Sequence, residues 1–475
     1  MVHPLDGPDL DGRPFFFCGI GGSGMLPLAQ IVHGLGHEVA GSDRSRDQGR
    51  TADKFEWLER AGFELFPQDG SGITSSDQIL IASAAVEDTV PEVKRAAELG
   101  CARMSRAELL STLFNQAGYS ISVGGTSGKS TVTGMIAWIL SEGGYNPTVM
   151  NGAVMKNFAS ADQPFASARV GRPEIFISEV DESDGSIALY RPTIGVLLNV
   201  SLDHKSLEEL RVLFGDYVRE AGCAVVNFDN EEAVFLAAKA SQLVSFGVTN
   251  AKADITVEPD SIEEGPLSIS AAVLDNRTRE AFPLLLPMPG QHNLSNALAA
   301  IAAVSAAGVE VKSAVYALRS FEGLARRFDV VGTSPNGISV IDDFGHNPEK
   351  CAATLRTLKA TPGRVLAFFQ PHGYGPLRQM GEELAETFAK ELGADDITLM
   401  CDPVYYGGTV DRSQGSERIV DLIRTHGGQA EHIAEREACA DRLVSLARGG
   451  DRIVIMGARD DTLSAFARGV FERLG

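Results

Sequence analysis

Two stretches of this chain share one layout: a short apolar run, a glycine-rich turn, then a segment with helical spacing. Phe15 to Cys18 lead into "GIGGSG", Gly19 to Gly24, and Tyr119 to Val123 lead into "GGTSGKST", residues 124 to 131. Glycine lets the backbone turn sharply where a side chain would clash. A helix that follows directly presents its free N–H groups at the end of the strand. Short, fully apolar strands separated by helical segments build parallel sheets covered on both faces, because a parallel pair needs a crossover between its strands. The pattern returns after Val331 in "GISVIDDFG", "RVLAFFQ", "DDITLMC" and "DRIVIMGA". The chain therefore reads as α/β, in three consecutive α/β domains. At 475 residues it is also too long for one core. The expected boundaries are 1–117, 118–330 and 331–475. Within the second, "ADITVEPDSIEEGPLSISAAVLDNRTREAFPLLL" alternates in character and predicts a small antiparallel subsheet, and "NLSNALAAIAAVSAAG" predicts a helix closed near Gly308.

A net charge of -21 disfavours nucleic acid as a partner and requires any anionic ligand to be held by backbone amides and a few placed cations. The six cysteines are scattered, without a CxxC pair, which argues against structural zinc and a disulfide framework. No apolar run is long enough to span a bilayer, and "MVHPLDGPDLDG" lacks the basic and apolar regions of a secretory signal. A cytoplasmic location without a membrane partner is the expectation.

In "GGTSGKST", Lys129 can neutralise phosphate charge, Ser130 can ligate magnesium, and the turn's amides can cradle phosphates. The strict pattern has glycine where this chain has Val123; the bland reading is a structural turn with a chance lysine. "GIGGSG", with Asp43 ending the next strand, suits a nucleotide diphosphate, whether dinucleotide or not, or a purely structural turn. "SEVDESDGS" gathers Glu179, Asp181, Glu182 and Asp184 beyond an apolar strand, where carboxylates either share a cation or face solvent. "LLNVSLDHK" ends another strand with Asp203 and His204. Asn293 in "PGQHNLSNALAAI" is a potential helix cap. "GLARRFDVV" carries Arg326 and Arg327, and "VIDDFGHNPEK" carries Asp342, Asp343 and His346.

Taken in order, "GIGGSG", "GGTSGKST", "EVDESD", "NVSLDH", "GQHNLSNA", "RRFDV" and "DDFGHNP" resemble the Mur ligase family from about Phe15 to the C-terminus. The resemblance implies an N-terminal Rossmann-like domain for a UDP-sugar, a central P-loop ATPase domain and a C-terminal Rossmann-like domain that contacts ATP and the incoming amine. It implies an ATP- and magnesium-dependent ligase joining a small amino acid, L-alanine foremost, to the carboxylate of UDP-N-acetylmuramate through an acyl phosphate. The alternatives are another small amino acid or a preformed peptide as the amine. By the same resemblance Gly125, Thr126, Ser127, Gly128, Lys129, Ser130, His292, Asn293, Arg327 and Asp343 bind ATP. Ser130, Glu179 and His204 lie at the metal, and Lys129, Glu179, His204 and His346 serve catalysis. Gly19, Gly21, Gly22, Ser23, Gly24, Asp43 and Ser83 fall where the UDP-sugar is held; Phe344, His346, His372 and Arg378 fall at the amino acid.

The chain departs from the usual pattern of alanine-adding members at Ser127 and Ser130 in the phosphate loop, at Phe344 in place of tyrosine, and at Asn347, where "HNP" replaces "HHP". In "FQPHGYGPLRQM", Gly373 stands where an arginine is usual. A nicotinamide-dependent oxidoreductase built on "GIGGSG" is the rival from another class, and it leaves the second phosphate loop without a task.

Overall fold

The computed structural model describes residues 10, 12–83, 86–201, 205–404, 414–458, 460 and 462–475. Its strands form three sheets, one for each of the three α/β segments.

In the first sheet β1 (Phe15–Cys18) lies between β2 (Val39–Ser42) and β4 (Ile79–Ala82), with β3 (Glu64–Phe66) and β5 (Ala102–Ser105) outside them, so the order is β3-β2-β1-β4-β5. All four pairings are parallel. Chain order reverses on either side of β1, and "GIGGSG" leaves from that strand. The C-terminal ends beside such a reversal are where open α/β sheets bind ligands.

The second sheet repeats the arrangement around β6 (Tyr119–Gly124). On one side stands β9 (Arg172–Glu179), then β7 (Pro147–Met150) and the antiparallel β8 (Ala168–Arg169). On the other stand β10 (Ile194–Leu197), β11 (Cys223–Asn227) and β12 (Leu243–Phe246). β6 is parallel to both neighbours and its four core residues 120–123 are buried, as a strand covered on both faces requires. Beyond β12 the sheet continues through β13 (Ile255–Val257), β14 (Glu263–Glu264), β15 (Ile269–Asp275) and β16 (Glu280–Leu286), where β15 pairs antiparallel with β13 and β14. This is the subsheet that the alternating sequence predicts. β15 alternates buried and half-buried residues along its length. The alanine-rich segment forms the helix Gln291–Ala306, and Gly308 follows it with φ +88°.

The third sheet has the order β17-β18-β22-β19-β20-β21. Its members are β17 (Asp329–Thr333), β18 (Ser339–Asp343), β19 (Val365–Gln370), β20 (Ile397–Met400), β21 (Ala430–His432) and β22 (Arg452–Gly457). Only β17 is antiparallel. It lies in "RRFDVV", where the apolar periodicity is too short to announce a strand.

Packing divides the chain into two compact units. One holds residues 1–262, 271–285 and 294–322; the other holds 263–270, 286–293 and 323–475. The first sheet and the parallel strands β6, β9, β7 and β10 to β13 of the second therefore share a unit, and a single buried cluster runs from Phe17 through Phe114 to Phe176 and Tyr190. Phe114 ends the helix Arg106–Gln116 and meets Phe176 and Tyr190 edge-on at 5.7 and 5.1 Å. Each such contact contributes on the order of 1 kcal/mol beyond area burial. Asn115 completes the junction by donating to the Leu189 carbonyl (2.8 Å) and accepting from the Arg191 amide (2.9 Å).

Candidate active site

β6 delivers the chain into the turn at Gly125, and the helix Lys129–Glu142 begins after Gly128. Gly125 (φ +141°) and Gly128 (φ +88°) both need glycine. A Cβ on Gly128 would stand 2.6 Å from Asn296 Oδ1, and one on Gly125 3.0 Å from Leu198. The loop is held from outside by Asn199, at the end of the neighbouring strand. Asn199 Oδ1 accepts from Thr126 Oγ1 (2.7 Å) and from the Ser127 amide (2.9 Å), its Nδ2 donates to the Ser127 carbonyl, and its own carbonyl accepts from the Thr126 amide. Protein contacts alone thus fix the shape of the turn, which lowers the cost of ordering it around a ligand.

Two carboxylates from "SEVDESDGS" meet the two residues that open the helix. Ser130 Oγ donates to Glu179 Oε2 at 2.6 Å, and Lys129 Nζ donates to Glu182 Oε2 at 2.7 Å and to the Gly125 carbonyl at 2.8 Å. Glu182 is 5% exposed, so this is a charged pair largely withdrawn from water. Asp181 lies beside it. Burial pushes its carboxyl up, and hydrogen bonds from Ser183 with the charges of Lys129 and Arg106 outweigh that and hold it below its ordinary range. The acidic run is therefore neither one metal cage nor a solvated loop: Glu179 and Glu182 have separate partners.

Gly152 gives Glu179 its room. A Cβ there would lie 2.1 Å from Glu179 Oε1 and 3.4 Å from Ser130 Oγ. The preceding Asn151, fully buried, donates to the Ser130 carbonyl (3.0 Å) and accepts from the Ala153 amide (3.0 Å), which ties the end of β7 to the first turn of the phosphate helix.

The Ser130–Glu179 pair is a hard-oxygen donor set of the kind magnesium takes, and the cradle at Gly152 leaves the carboxylate free to reach it. Among the described residues no three His, Cys, Asp or Glu side chains gather into a metal cage. His204 and Asp203 lie outside the described residues.

In the first sheet, Asp43 fixes the glycine loop. Its Oδ2 accepts from the Gly21 amide (2.9 Å) and its Oδ1 from the Ser45 amide (2.8 Å). Gly21 packs so closely that a Cβ would stand 2.8 Å from the Phe55 ring, and Lys54 Nζ donates to the Gly21 carbonyl (3.1 Å). Gly19 takes φ +79°, a Cβ on Gly22 would approach the Gly19 carbonyl to 3.2 Å, and Ser83 follows β4 half-buried. The two glycine loops meet at one cavity of about 350 Å³, whose lining includes Ser23, Gly24 and Arg106 on one side and Lys129, Gly152 and Glu179 on the other.

The second unit holds the remaining candidates. His292 lies in the first turn of its helix beside Asn293, which is buried and donates to the Pro289 carbonyl (2.7 Å) rather than capping the helix. Arg326 is committed to the fold: it donates to the Gly457 carbonyl (2.6 Å) and the Asp460 carbonyl (3.1 Å) and pairs with Asp342. Arg327 lays its guanidinium over Phe344, 4.7 Å from the ring centroid. Asp343 accepts from the Phe328 and Gly345 amides and from Thr354 Oγ1, each at 2.8 Å, so it anchors the turn after β18. His346 Nδ1 lies 3.0 Å from the Phe344 carbonyl, and its ring stands edge-on to that of His372 at 5.3 Å. Burial lowers His346 to about 4; the bond to the Phe344 carbonyl works against this, and Lys350, His372 and Arg327 add to it. Gly373 has φ +136° and precedes the helix Tyr374–Glu391, on which Arg378 is exposed.

Profiles of known families match in the order of the sheets. The Mur ligase family catalytic domain covers residues 14–117, the Mur ligase middle domain 123–304, and the Mur ligase glutamate ligase domain 326–459. A UDP-N-acetylmuramate–L-alanine ligase of Brucella anthropi is 34% identical over 467 residues, 95% of each chain.

The chain belongs to the Mur ligase family.

A second ligase of that name, from Agrobacterium fabrum, is 33% identical over 95% of each chain. Among solved structures, the UDP-N-acetylmuramate–alanine ligase of Thermotoga maritima superposes with a TM-score of 0.78 at 25% identity, covering 97% of this chain and 99% of that one. A murein peptide ligase of Psychrobacter arcticus superposes with 0.68 at 25% identity, over 98% and 99%. The three-domain α/β architecture is that of this Mur ligase. In this member the residues that sequence motifs pass over are Asn199, Asn151, Gly152 and, as the partner of Lys129, Glu182. Asn199 stands in plain view in "LLNVSLDHK", but its partners lie 72 and 73 residues away.

Proposed function

We propose that the chain joins L-alanine to the lactyl carboxylate of UDP-N-acetylmuramate with ATP. The observation that carries this is the cavity lined by both glycine loops: a sugar nucleotide held at Gly21 to Gly24 extends its carboxylate toward a γ-phosphate held over Lys129. A carboxylate oxygen attacks the γ-phosphorus, the bond to the β-phosphate oxygen breaks, and ADP leaves. The amine nitrogen then attacks the acyl carbon, loses a proton, and inorganic phosphate departs with the pair of electrons from the acyl–oxygen bond. Three negative partners crowd together in the first step. Lys129 opposes that charge, and the turn's amides, held by Asn199, are aimed before the reaction begins. Magnesium, when bound at Ser130 and Glu179, screens the phosphates. In this reading Thr126, Ser127, His292, Asn293, Arg327 and Asp343 also bind ATP, and Arg326 serves the fold. The neutral His346 donates from Nδ1 to the Phe344 carbonyl and presents Nε2 to the amine's departing proton. Phe344, His372 and Arg378 line the amino-acid end, Gly19, Gly22, Asp43 and Ser83 the UDP end. The domain boundaries accompanying this reading are 1–117, 118–330 and 331–475, and the enzyme works in the cytoplasm.

Incubation with ATP, magnesium, UDP-N-acetylmuramate and L-alanine is expected to release phosphate and yield the L-alanyl product by mass. NADH turnover without ADP would sink the ligase reading. Gly373 favours one second reading, in which a larger amine such as a peptide is preferred, because the usual arginine is replaced by a residue without a side chain. If Arg378 takes over the carboxylate of alanine, Arg378→Ala raises the KM for L-alanine by tenfold or more. An unchanged KM, or a peptide used better than any amino acid, supports the second reading.

A further inference from the structure

Arg106 opens the helix that follows β5, outside both glycine loops. Its backbone is fixed by a reciprocal cap: Ser105 Oγ accepts from the Glu108 amide (3.1 Å), and the Glu108 carboxylate accepts from the Ser105 amide (2.7 Å). The side chain lies along Gly24, where a Cβ would stand 3.1 Å from Arg106 Cδ and 3.4 Å from its Nε and Nη1. Its far nitrogen, Nη2, lies 3.7 Å from Asp184 Oδ2. The guanidinium therefore reaches from the end of the first glycine loop to the acidic run whose Glu179 and Glu182 serve the second, along the wall of the cavity that both loops line.

Arg106 and Lys129 are the two cations among the described residues of that wall, and they are committed differently. Lys129 has two short bonds, to Glu182 and to the Gly125 carbonyl. The ion pair that Arg106 makes is long, and its partner Asp184 is 44% exposed and already accepts from the Ser186 amide at 2.8 Å. A pair so open to water contributes little, so an incoming carboxylate displaces Asp184 at small cost and meets a planar fork that matches it. The chemistry asks for such a cation. A carboxylate must approach a triphosphate, Lys129 stands on the phosphate side, and the loop at Gly21 to Gly24 offers amides to the diphosphate but no positive charge to the acid.

We propose that Arg106 binds the lactyl carboxylate of the sugar nucleotide in exchange for Asp184, and so selects the sugar acid over the same UDP-sugar without its lactyl group. The inference rests on the UDP-sugar placement proposed above. It makes Arg106 a specificity residue: it recognises the group that is to be activated and holds it on the side of the cavity facing Lys129.

The test is calorimetry on the full chain without ATP, comparing UDP-N-acetylmuramate with UDP-N-acetylglucosamine, which keeps both phosphates and lacks the lactyl carboxylate. Wild type is expected to bind the sugar acid roughly tenfold or more tightly than its neutral counterpart. Arg106→Gln should weaken the sugar acid by about tenfold or more and shift the neutral sugar by less than about threefold, which removes the preference. Arg106→Lys should restore part of it, because the charge returns without the fork. Equal losses for both ligands would assign Arg106 to the diphosphate and overturn the proposal, as would no loss for either. Asp184→Asn keeps an oxygen on the Ser186 amide and removes the competing charge. It is expected to tighten the sugar acid by about twofold or more and leave the neutral sugar unchanged. Unchanged or weaker binding of the sugar acid there overturns the exchange, and this arm stands even if Arg106→Gln misfolds. Failure of the underlying placement has its own signature: wild type then binds neither nucleotide. A wild type that binds both equally keeps the placement and refutes selection by Arg106.

Discussion

The two glycine loops are built alike and equipped differently. Each leaves the strand at which its sheet reverses order, and each is fixed by one side chain from the end of a neighbouring strand: Asp43 for Gly21, Asn199 for Thr126 and Ser127. At Gly19 to Gly24 the loop itself carries only amides and small residues, braced by Asp43 and by Lys54 on the Gly21 carbonyl. At Gly125 to Ser130 a lysine and a hydroxyl are added, each matched to its own carboxylate. In the proposed reaction one architecture holds a diphosphate and, with a cation and a metal-binding pair added, moves a phosphoryl group.

Removing the distinguishing cation tests this contrast hardest. Lys129→Ala is expected to cost about 3 kcal/mol or more in kcat/KM while leaving calorimetric affinity for UDP-N-acetylmuramate nearly intact. An equal loss in both would mean that the loops are not separate in function. The converse change is Asp43→Ala, which frees the Gly21 and Ser45 amides. It is expected to raise the KM for the UDP-sugar roughly tenfold, from about 1–3 kcal/mol of lost charged hydrogen bonding, with the KM for ATP unchanged. A rise in the ATP constant instead would break the contrast.

A finer distinction concerns the metal pair. In Gly152→Ala the added methyl displaces the flexible end of Glu179, not the backbone, so the half-saturating magnesium concentration is expected to rise several-fold with the melting temperature unmoved. Glu179→Gln should produce the same phenotype. A large drop in melting temperature with normal magnesium dependence would show that Gly152 serves packing alone. The smallest effect lies outside both loops, at His346. Its folded value of about 4 is below the ordinary 6.5, so between those values the unfolded chain binds the extra proton and stability falls as pH falls. His346→Gln should flatten the melting temperature against pH between about 6.5 and 4 and leave it unchanged above 7. Equal slopes in both proteins would remove His346 from that linkage.

Much of this was legible in the residues. The strand, turn and helix at "GGTSGKST" follow from apolar run, glycine spacing and helix start, because each depends on neighbours in sequence. Which of four clustered carboxylates meets Lys129 and which meets Ser130 depends on how the chain after β9 turns, and no spacing rule distinguishes Glu179 from Glu182. Asn199 and Gly152 are illegible for the same reason: their roles exist only across strands brought together from 22 to 73 residues away. β17 escaped notice because its pairing with β18, not its own pattern, makes it a strand. The packing of the first sheet with the parallel strands of the second likewise depends on Phe114 meeting Phe176 and Tyr190, a contact between segments with no sequence mark of their own.

Gly373 is held to glycine by its own backbone. With φ +136° and ψ +163° it occupies a region open essentially to glycine alone. An arginine placed there would meet a main chain that cannot receive it, although the space beyond is nearly empty, with only Pro376 within 4 Å of a Cβ. It is the backbone and not a neighbouring side chain that keeps position 373 bare, so a side chain could be introduced there only together with a rebuilt turn before Tyr374.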